Sequence, residues 1–184
     1  MAREWGGHTD LWIFGYASLI WRPEFEFTEH RPAVVCGYHR ALKMWSRLNR
    51  GTPEKPGLVF GLLAGGSCKG VVYRIAKANV AAMLPTLWER EMPNGVYDPK
   101  WLHCQTTHGP VRALAFTLSK RSPNHTGVLS EEDYRRIFSS ACGRYGTTRD
   151  YAQQTYDKLR ELGIHDRALG KLLRLCNDSL PQKN

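Results

Sequence analysis

The sequence has no long hydrophobic run and no cysteine motif. No stretch reaches the roughly 18 consecutive apolar residues of a membrane-spanning helix, and the polar residues 1–10 contain no apolar signal region. The five cysteines are scattered, odd in number and without a CxxC pair, which argues against a disulfide framework and a zinc site. We therefore expect no membrane span, no export and a cytoplasmic protein with reduced thiols.

Several sets of catalytic and cofactor-binding residues are also missing. None of the seven histidines has another histidine three or four positions away, so no metal site is expected. No serine lies in a G-x-S-x-G setting, no cysteine lies in a local signature of a catalytic thiol, and there is no phosphate loop or dinucleotide fingerprint. Any chemistry must use other side chains.

The chain of 184 residues has a formal net charge of +9, but its Lys and Arg residues are dispersed. The adjacent pairs Lys120-Arg121 and Arg135-Arg136 are too short to form basic tracts. We therefore expect no nucleic-acid binding, and a solvated surface with an anionic small-molecule substrate instead. The sequence does not indicate an oligomeric state.

The first two-thirds of the chain are rich in β-forming residues. Gly65-Gly66 and His108-Gly109-Pro110 are predicted turns between strands. The predicted strands are Leu11–Phe14, Ala33–Trp45, Leu58–Leu63, Val71–Ile75 and Val111–Leu118.

Four segments carry the apolar spacing of helices: Ala76–Trp88, Glu131–Cys142, Asp150–Leu162 and Arg167–Cys176. Pro85 predicts a kink or an early end of the first, and Ser130 with Asp133 predicts a capping box for the second. Strands followed by helices favour a largely antiparallel or mixed sheet or barrel in an α+β fold. With no repeat or linker, we expect one domain over residues 1–184, with its core at about 11–175.

Glu91 is the strongest candidate for a catalytic residue. At about 100° per residue, the helical phase places Glu91 on the face of Val80, Leu84 and Leu87, and Glu89 on the opposite, solvent side. A carboxyl group on an apolar face has a raised pKa, which suits a general base near neutral pH. The alternative is that Pro85 or Met92-Pro93 ends the helix first, leaving Glu91 exposed or paired with an Arg.

Three further features have both a functional and a structural interpretation. The segment from Phe14 through Gly15 to Trp21 is a strand entering a turn, which either binds an anion through its backbone or is an ordinary turn. Asn94-Gly95-Val96-Tyr97 is either a turn before a strand that begins with a packed Tyr, or it places a phenol near Glu91. Tyr151 begins the apolar stripe of its helix, which favours core packing.

Six segments of the chain together resemble the ChaC-like γ-glutamylcyclotransferases. WIFGYASLIWRPEF (Trp12 to Phe25) is similar to the family signature FGYGSLIW, and REMPNGVY (Arg90 to Tyr97) matches RE-x-x-x-G-x-Y. RGTPEKPGLVFGL (Arg50 to Leu62) and GSCKGVVYRI (Gly66 to Ile75) resemble the segments between them. PNHTGVLS and GTTRDYAQQTYDKLRELGIHDRAL resemble the C-terminal helical half, so the resemblance covers about Leu11 to Leu175.

The resemblance implies a small β-barrel with flanking helices that uses no cofactor or metal. It implies that Glu91 is the catalytic acid and base, and that Tyr97 and Tyr151 lie close to the pocket. The implied substrate loop is Ile13, Phe14, Gly15, Tyr16, Ala17, Ser18 and Leu19. Ala17 departs from the family, which usually has Gly there; we expect Ala17 to have an ordinary negative φ, because Ala is strained at positive φ.

The activity implied by the resemblance is cleavage of glutathione to 5-oxoproline and Cys-Gly by internal attack of the γ-glutamyl amine. Two alternatives stay open from the residues alone. One is a cyclotransferase for other γ-glutamyl amides, because the sequence does not identify a residue for the distal carboxylate of glutathione. The other is a non-catalytic binding module, which a Glu91 with a lowered pKa, tied to an Arg, would favour.

Overall fold

The structure is a computed structural model that describes residues 5–92 and 95–177. The chain divides into two compact units. The first consists of Met1–Ala41 and Leu62–Ser122, and the second of Leu42–Gly61 and Pro123–Asn184. The expectation of one domain over residues 1–184 stays a prediction.

Five strands form a closed barrel in the order β1-β3-β2-β4-β5. β1 is antiparallel to β3, from Leu11 opposite Ile75 to Gly15 opposite Val71, and pairs in parallel with β5. The five strands are β1 (Leu11–Gly15), β2 (Glu29–Ser46), β3 (Gly57–Ile75), β4 (Asp98–Thr106) and β5 (Gly109–Thr117). This mixed barrel and the helices of the chain confirm the predicted α+β fold.

The barrel segments of the first unit are strongly apolar, as their β-branched and aromatic content predicts. Its fully buried side chains include Leu11, Ile13, Phe14, Leu114 and Phe116. Two helices belong to the same unit. The short α1 (Ser18–Trp21) follows β1, and α2 (Lys77–Glu91) follows β3.

The second unit contains α3 (Glu131–Ser140), the hairpin of β6 (Cys142–Gly143) and β7 (Gly146–Thr147), α4 (Thr148–Glu161) and α5 (Arg167–Asn177). The predicted capping box of Ser130 and Asp133 is present at the start of α3. A second capping box, of Thr147 and Asp150, begins α4 two residues earlier than the sequence predicts. None of the helices in the described ranges is long and apolar enough to span a bilayer.

Two predictions of local structure were wrong. Gly65 and Gly66 have positive φ but do not separate two strands, because β3 continues through them and the carbonyl of Gly65 lies 2.8 Å from Nδ1 of His39. The early end predicted at Pro85 is also wrong, because α2 continues through this residue to Glu91, whereas a kink at Pro85 stays a prediction. The carbonyl that loses its helical donor is that of Ala81, which is exposed and accessible to water.

Candidate active site

The predicted substrate loop leaves β1 at Gly15 and turns at once into α1. A Cβ atom at Gly15 would lie 3.1 Å from both the Leu19 Cβ and the Tyr73 Cε2, so the turn is tight enough to favour glycine. The Ile20 N–H donates to the Ala17 carbonyl at 2.8 Å. The N–H groups of Ser18 and Leu19 are the first of α1 and have no acceptor inside the helix. They are therefore the backbone donors that this loop can offer to an oxygen of a ligand.

Hydrogen bonds between the loop and the barrel hold this loop in place. The Tyr16 hydroxyl donates to the Phe116 carbonyl at 2.9 Å, and the Tyr73 hydroxyl donates to the Ile20 carbonyl at 3.3 Å. Arg40 on β2 donates from Nη1 to the Tyr16 carbonyl at 2.8 Å and to the Lys69 carbonyl at 3.0 Å. The loop is thus anchored on both sides of Ala17.

Ala17 itself has φ −143°, so the expectation of a negative φ is confirmed. Its methyl group is buried, with 6% of the residue exposed. The departure from the family's glycine therefore requires no left-handed backbone at this position.

Glu91 is the last residue of α2, and its side chain is only 13% exposed. Val80 and Leu87 on the same helix are buried, whereas Glu89 is exposed, as the helical phase predicts. Burial raises the pKa of Glu91 to about 6; the positive charge of Arg90 opposes this rise and the negative charge of Glu24 adds to it. A carboxyl group with this pKa is mostly ionised at neutral pH and still basic enough to take a proton.

Phe116 on β5 connects the parts of this site. Its ring centroid lies 6.1 Å from that of Trp88, three residues before Glu91 on α2, and 6.3 Å from that of the buried Tyr97. Its carbonyl accepts the hydrogen bond from Tyr16 in the predicted substrate loop. The structure therefore gathers the end of α2, Tyr97 and the loop around one residue of the barrel.

The position of Tyr97 agrees with the prediction of a packed Tyr at the start of a strand, because β4 begins at the following residue, Asp98. Gly95 has φ 62°, which fits the predicted turn. Asn94, the other turn residue, lies outside the described residues.

Tyr151 belongs to the second unit and is buried on α4. Its ring centroid lies 5.4 Å from that of Phe60, and its hydroxyl oxygen accepts a hydrogen bond of 3.4 Å from the Phe60 N–H. The guanidinium carbon of Arg50 lies 5.0 Å from the Tyr151 ring centroid. These contacts agree with core packing, and a contact of Tyr151 with substrate stays a prediction.

A groove of about 480 Å³ lies between residues 23–26 and α2, with Phe25, Met83, Leu87 and Arg90 in its wall. Among the residues that the structure describes, no group of three or more His, Cys, Asp or Glu side chains is placed to hold a metal ion.

The sequence interpretation missed Arg40, Arg90, Glu24 and Phe116. Arg90 carried a weak signal, because it stands beside Glu91 in the REMPNGVY block. The contacts of the other three join positions far apart in the chain, and no local spacing predicts such pairs.

The chain is similar to known proteins both in sequence and in fold. A family model described as "ChaC-like protein" matches residues 11–179. A "Glutathione-specific gamma-glutamylcyclotransferase" of Escherichia coli is 35% identical over 89% of this chain and 71% of that protein. A protein of the same name from Schizosaccharomyces pombe is 45% identical over 83% of this chain and 84% of that protein.

Among solved structures, a yeast "gama glutamyl cyclotransferease specific to glutathione" superposes with a TM-score of 0.83. The alignment covers 93% of this chain and 97% of the yeast chain at 20% sequence identity. At that identity the likeness concerns the fold alone.

Proposed function

Because the chain belongs to the ChaC-like family, we propose that it is a γ-glutamylcyclotransferase that cleaves glutathione into 5-oxoproline and Cys-Gly. The bond is broken without water, so the activity is that of a lyase. The observation that carries the mechanism is the buried Glu91, whose pKa is raised to about 6 at the end of α2.

In the proposed reaction, the substrate supplies both nucleophile and electrophile. Glu91 takes a proton from the α-ammonium group of the γ-glutamyl moiety, and the free amine attacks the γ-carbonyl carbon to form the new C–N bond of a five-membered ring. Because this attack is intramolecular, good alignment is worth roughly 7–11 kcal/mol of the barrier. The enzyme's main task is to hold the substrate in that alignment.

The electrons of the carbonyl move to its oxygen when the ring closes. We propose that the N–H groups of Ser18 and Leu19 stabilise this oxyanion, within a substrate loop that spans Ile13 to Leu19. When the tetrahedral intermediate collapses, the bond to the cysteinyl nitrogen breaks and protonated Glu91 returns its proton to that nitrogen. The ring nitrogen loses its second proton in the same way, through Glu91 to the departing amine, which leaves as the ammonium group of Cys-Gly. One carboxyl group thus serves as base and then as acid.

A non-catalytic binding role is the weaker candidate. It would be favoured by a Glu91 whose pKa is lowered by an Arg, but the pKa is raised although Arg90 lies 3.2 Å away.

We also propose that the protein acts in the cytoplasm on a small molecule and binds no nucleic acid. Affinity for duplex DNA that persists in the submicromolar range at physiological salt would contradict the last point.

The product distribution tests the proposed reaction. The protein is incubated with glutathione in ¹⁸O-labelled water, and the products are identified by mass spectrometry. We expect unlabelled 5-oxoproline and Cys-Gly in equal amounts, because no water enters the bond that breaks. Labelled glutamate as the main product would identify a hydrolase and refute cyclisation.

A parallel incubation with γ-Glu-Ala separates glutathione from the other γ-glutamyl amides. We expect turnover to be much slower than with glutathione. Equal turnover of both substrates would favour the broader γ-glutamyl specificity.

A further inference from the structure

The guanidinium group of Arg90 joins two carboxylates. Its Nε lies 3.2 Å from Oε1 of Glu91, and its Nη1 lies 2.7 Å from Oε2 of Glu24. Nη1 also donates to the Pro23 carbonyl at 3.2 Å. The side chain of Arg90 is 20% exposed, so these contacts are partly shielded from water. Arg90 thus ties the candidate base to Glu24, which precedes Arg90 by 66 residues.

Glu24 is held in a specific conformation at this point. It has φ 56° and is the one non-glycine residue with a positive φ in the described parts of the chain. An L-residue is disfavoured there, and such conformations persist when the surroundings fix them. The second oxygen of Glu24, Oε1, pairs with Arg22, so each carboxylate oxygen has an arginine partner.

The charged side chains near Glu91 affect its pKa in opposite directions. A positive guanidinium beside a carboxyl group favours its ionised form and reduces its basicity, whereas a second carboxylate has the reverse effect. The charged groups that act on Glu91 are Arg90 from its own helix and Glu24 from the segment that packs against it, with Arg22 bound to Glu24. Burial raises the pKa of Glu91, the positive charge of Arg90 lowers it, and the negative charge of Glu24 raises it.

We propose that Arg90 and Glu24 are positioning residues for the reaction: Arg90 orients the Glu91 carboxylate, and Glu24 neutralises Arg90 so that Glu91 remains able to take a proton. This inference rests on the proposed function of Glu91 as the base. Neither residue touches the reacting atoms in this scheme, and both act through Glu91.

The pH dependence of kcat/KM with glutathione tests the proposal, because its acidic limb reports the ionisation of the base in the free enzyme. In Glu24→Gln the midpoint of that limb should move to lower pH, and in Arg90→Gln to higher pH, each by about one unit. The double variant should lie between the two single variants. Arg90→Lys keeps the charge and should stay close to wild type.

Glu89→Gln is the matched control, because it removes the same charge from an exposed position on the same helix. The acidic limb of its pH profile should coincide with that of wild type. If Glu24→Gln and Arg90→Gln leave the limb in place, or move it in the same direction, the proposal is wrong. A merely structural role would lower the rate without moving the limb in opposite directions.

A second readout does not depend on activity. The Glu91 carboxyl carbon is titrated by NMR in protein labelled with ¹³C-glutamate, its signal being identified by its loss in Glu91→Gln. The midpoint should shift in the two opposite directions given above, and unshifted midpoints would overturn the proposal. If wild type formed no 5-oxoproline, the proposed function would fail, whereas the titration would still decide whether the charges are coupled.

Discussion

The hydroxyl of Tyr16 and the carbonyl of Phe116 are joined by a hydrogen bond of 2.9 Å, although the two residues are 100 positions apart. The residue opposite Phe116 on β4 is Pro99, which has no N–H to donate to that carbonyl. Tyr16 therefore supplies a donor that the neighbouring strand residue lacks. The same bond fixes the substrate loop to the barrel residue that contacts Trp88 and Tyr97.

Removal of this hydroxyl should loosen the loop. In Tyr16→Phe the buried Phe116 carbonyl loses its donor, so we expect the free energy of unfolding to fall by about 1–2 kcal/mol. KM for glutathione should rise, because the loop proposed to bind the substrate is less well held. Denaturant unfolding and steady-state kinetics measure the two effects.

Tyr38→Phe is the matched control, because the Tyr38 hydroxyl has no hydrogen-bond partner within residues 5–92 and 95–177. It should leave stability and KM near wild type. An unchanged KM in Tyr16→Phe, despite the loss of stability, would mean that the loop does not need this anchor to bind substrate.

The negative φ of Ala17 predicts the effects of substitutions at this position. Ala17→Gly should lower stability by about 0.5–1 kcal/mol, because glycine increases the entropy of the unfolded chain. Its turnover should change by less than about tenfold, since the backbone amides stay in place. Ala17→Val should reduce turnover far more, because a branched side chain would press on the glutamyl group.

A melting series with turnover for Gly, Ala and Val at position 17 checks these effects. A more stable Ala17→Gly would contradict the backbone conformation. Equal activity of all three proteins would mean that the loop does not contact the substrate.

The raised pKa of Glu91 predicts that Glu91→Gln gains stability relative to wild type as the pH rises. The folded-state pKa is about 6 and the ordinary value is 4.5, so between these values the folded protein binds more protons than the unfolded one. The contribution of Glu91 to the stability of wild type therefore falls across this range. Glu91→Gln lacks this contribution, so the difference between the two proteins should grow by about 2 kcal/mol between pH 4 and pH 8.

Denaturant unfolding of both proteins at the two pH values measures this difference, because the other titrating groups contribute to both alike. Glu89→Gln should show no comparable change. A stability difference that is the same at pH 4 and pH 8 would mean that Glu91 does not have a raised pKa.

Two substitutions of Tyr151 distinguish a role in core packing from a contact with the substrate. Its ring packs against Phe60 and lies under Arg50, so Tyr151→Ala should destabilise the fold by about 3–5 kcal/mol. Tyr151→Phe keeps the ring and loses the acceptor of a hydrogen bond of 3.4 Å, so it should destabilise the fold much less than Tyr151→Ala. If the hydroxyl also contacts substrate, KM for glutathione rises in Tyr151→Phe; an unchanged KM would assign Tyr151 to packing alone.

Local patterns predicted much of the fold. β1, the four longer helices and the Ser130 capping box follow from apolar spacing and capping residues, and the burial of Glu91 with exposure of Glu89 follows from helical phase. The wrong predictions came from glycine and proline. Each breaks regular structure on average, but β3 accommodates Gly65 and α2 accommodates Pro85 where the surroundings satisfy the backbone.

Local sequence patterns could not predict the contacts that organise the site. Arg40 with Tyr16, and Arg90 with Glu24, are pairs of residues that only the closure of the barrel and the packing of α2 bring together. The family resemblance predicted the site residues, namely Glu91 and the loop from Ile13 to Leu19. It did not indicate which side chains hold them in place.

The most direct test of the account is the rate of 5-oxoproline formation from glutathione by Glu91→Gln, compared with wild type and Glu89→Gln. Glu91→Gln should remain folded and lose about 10²-fold or more in turnover, the usual contribution of an acid–base group. Glu89→Gln should retain wild-type turnover, because its side chain is exposed on the other side of the helix. A folded Glu91→Gln that keeps most of its turnover would contradict the central claim that Glu91 transfers the protons of this reaction.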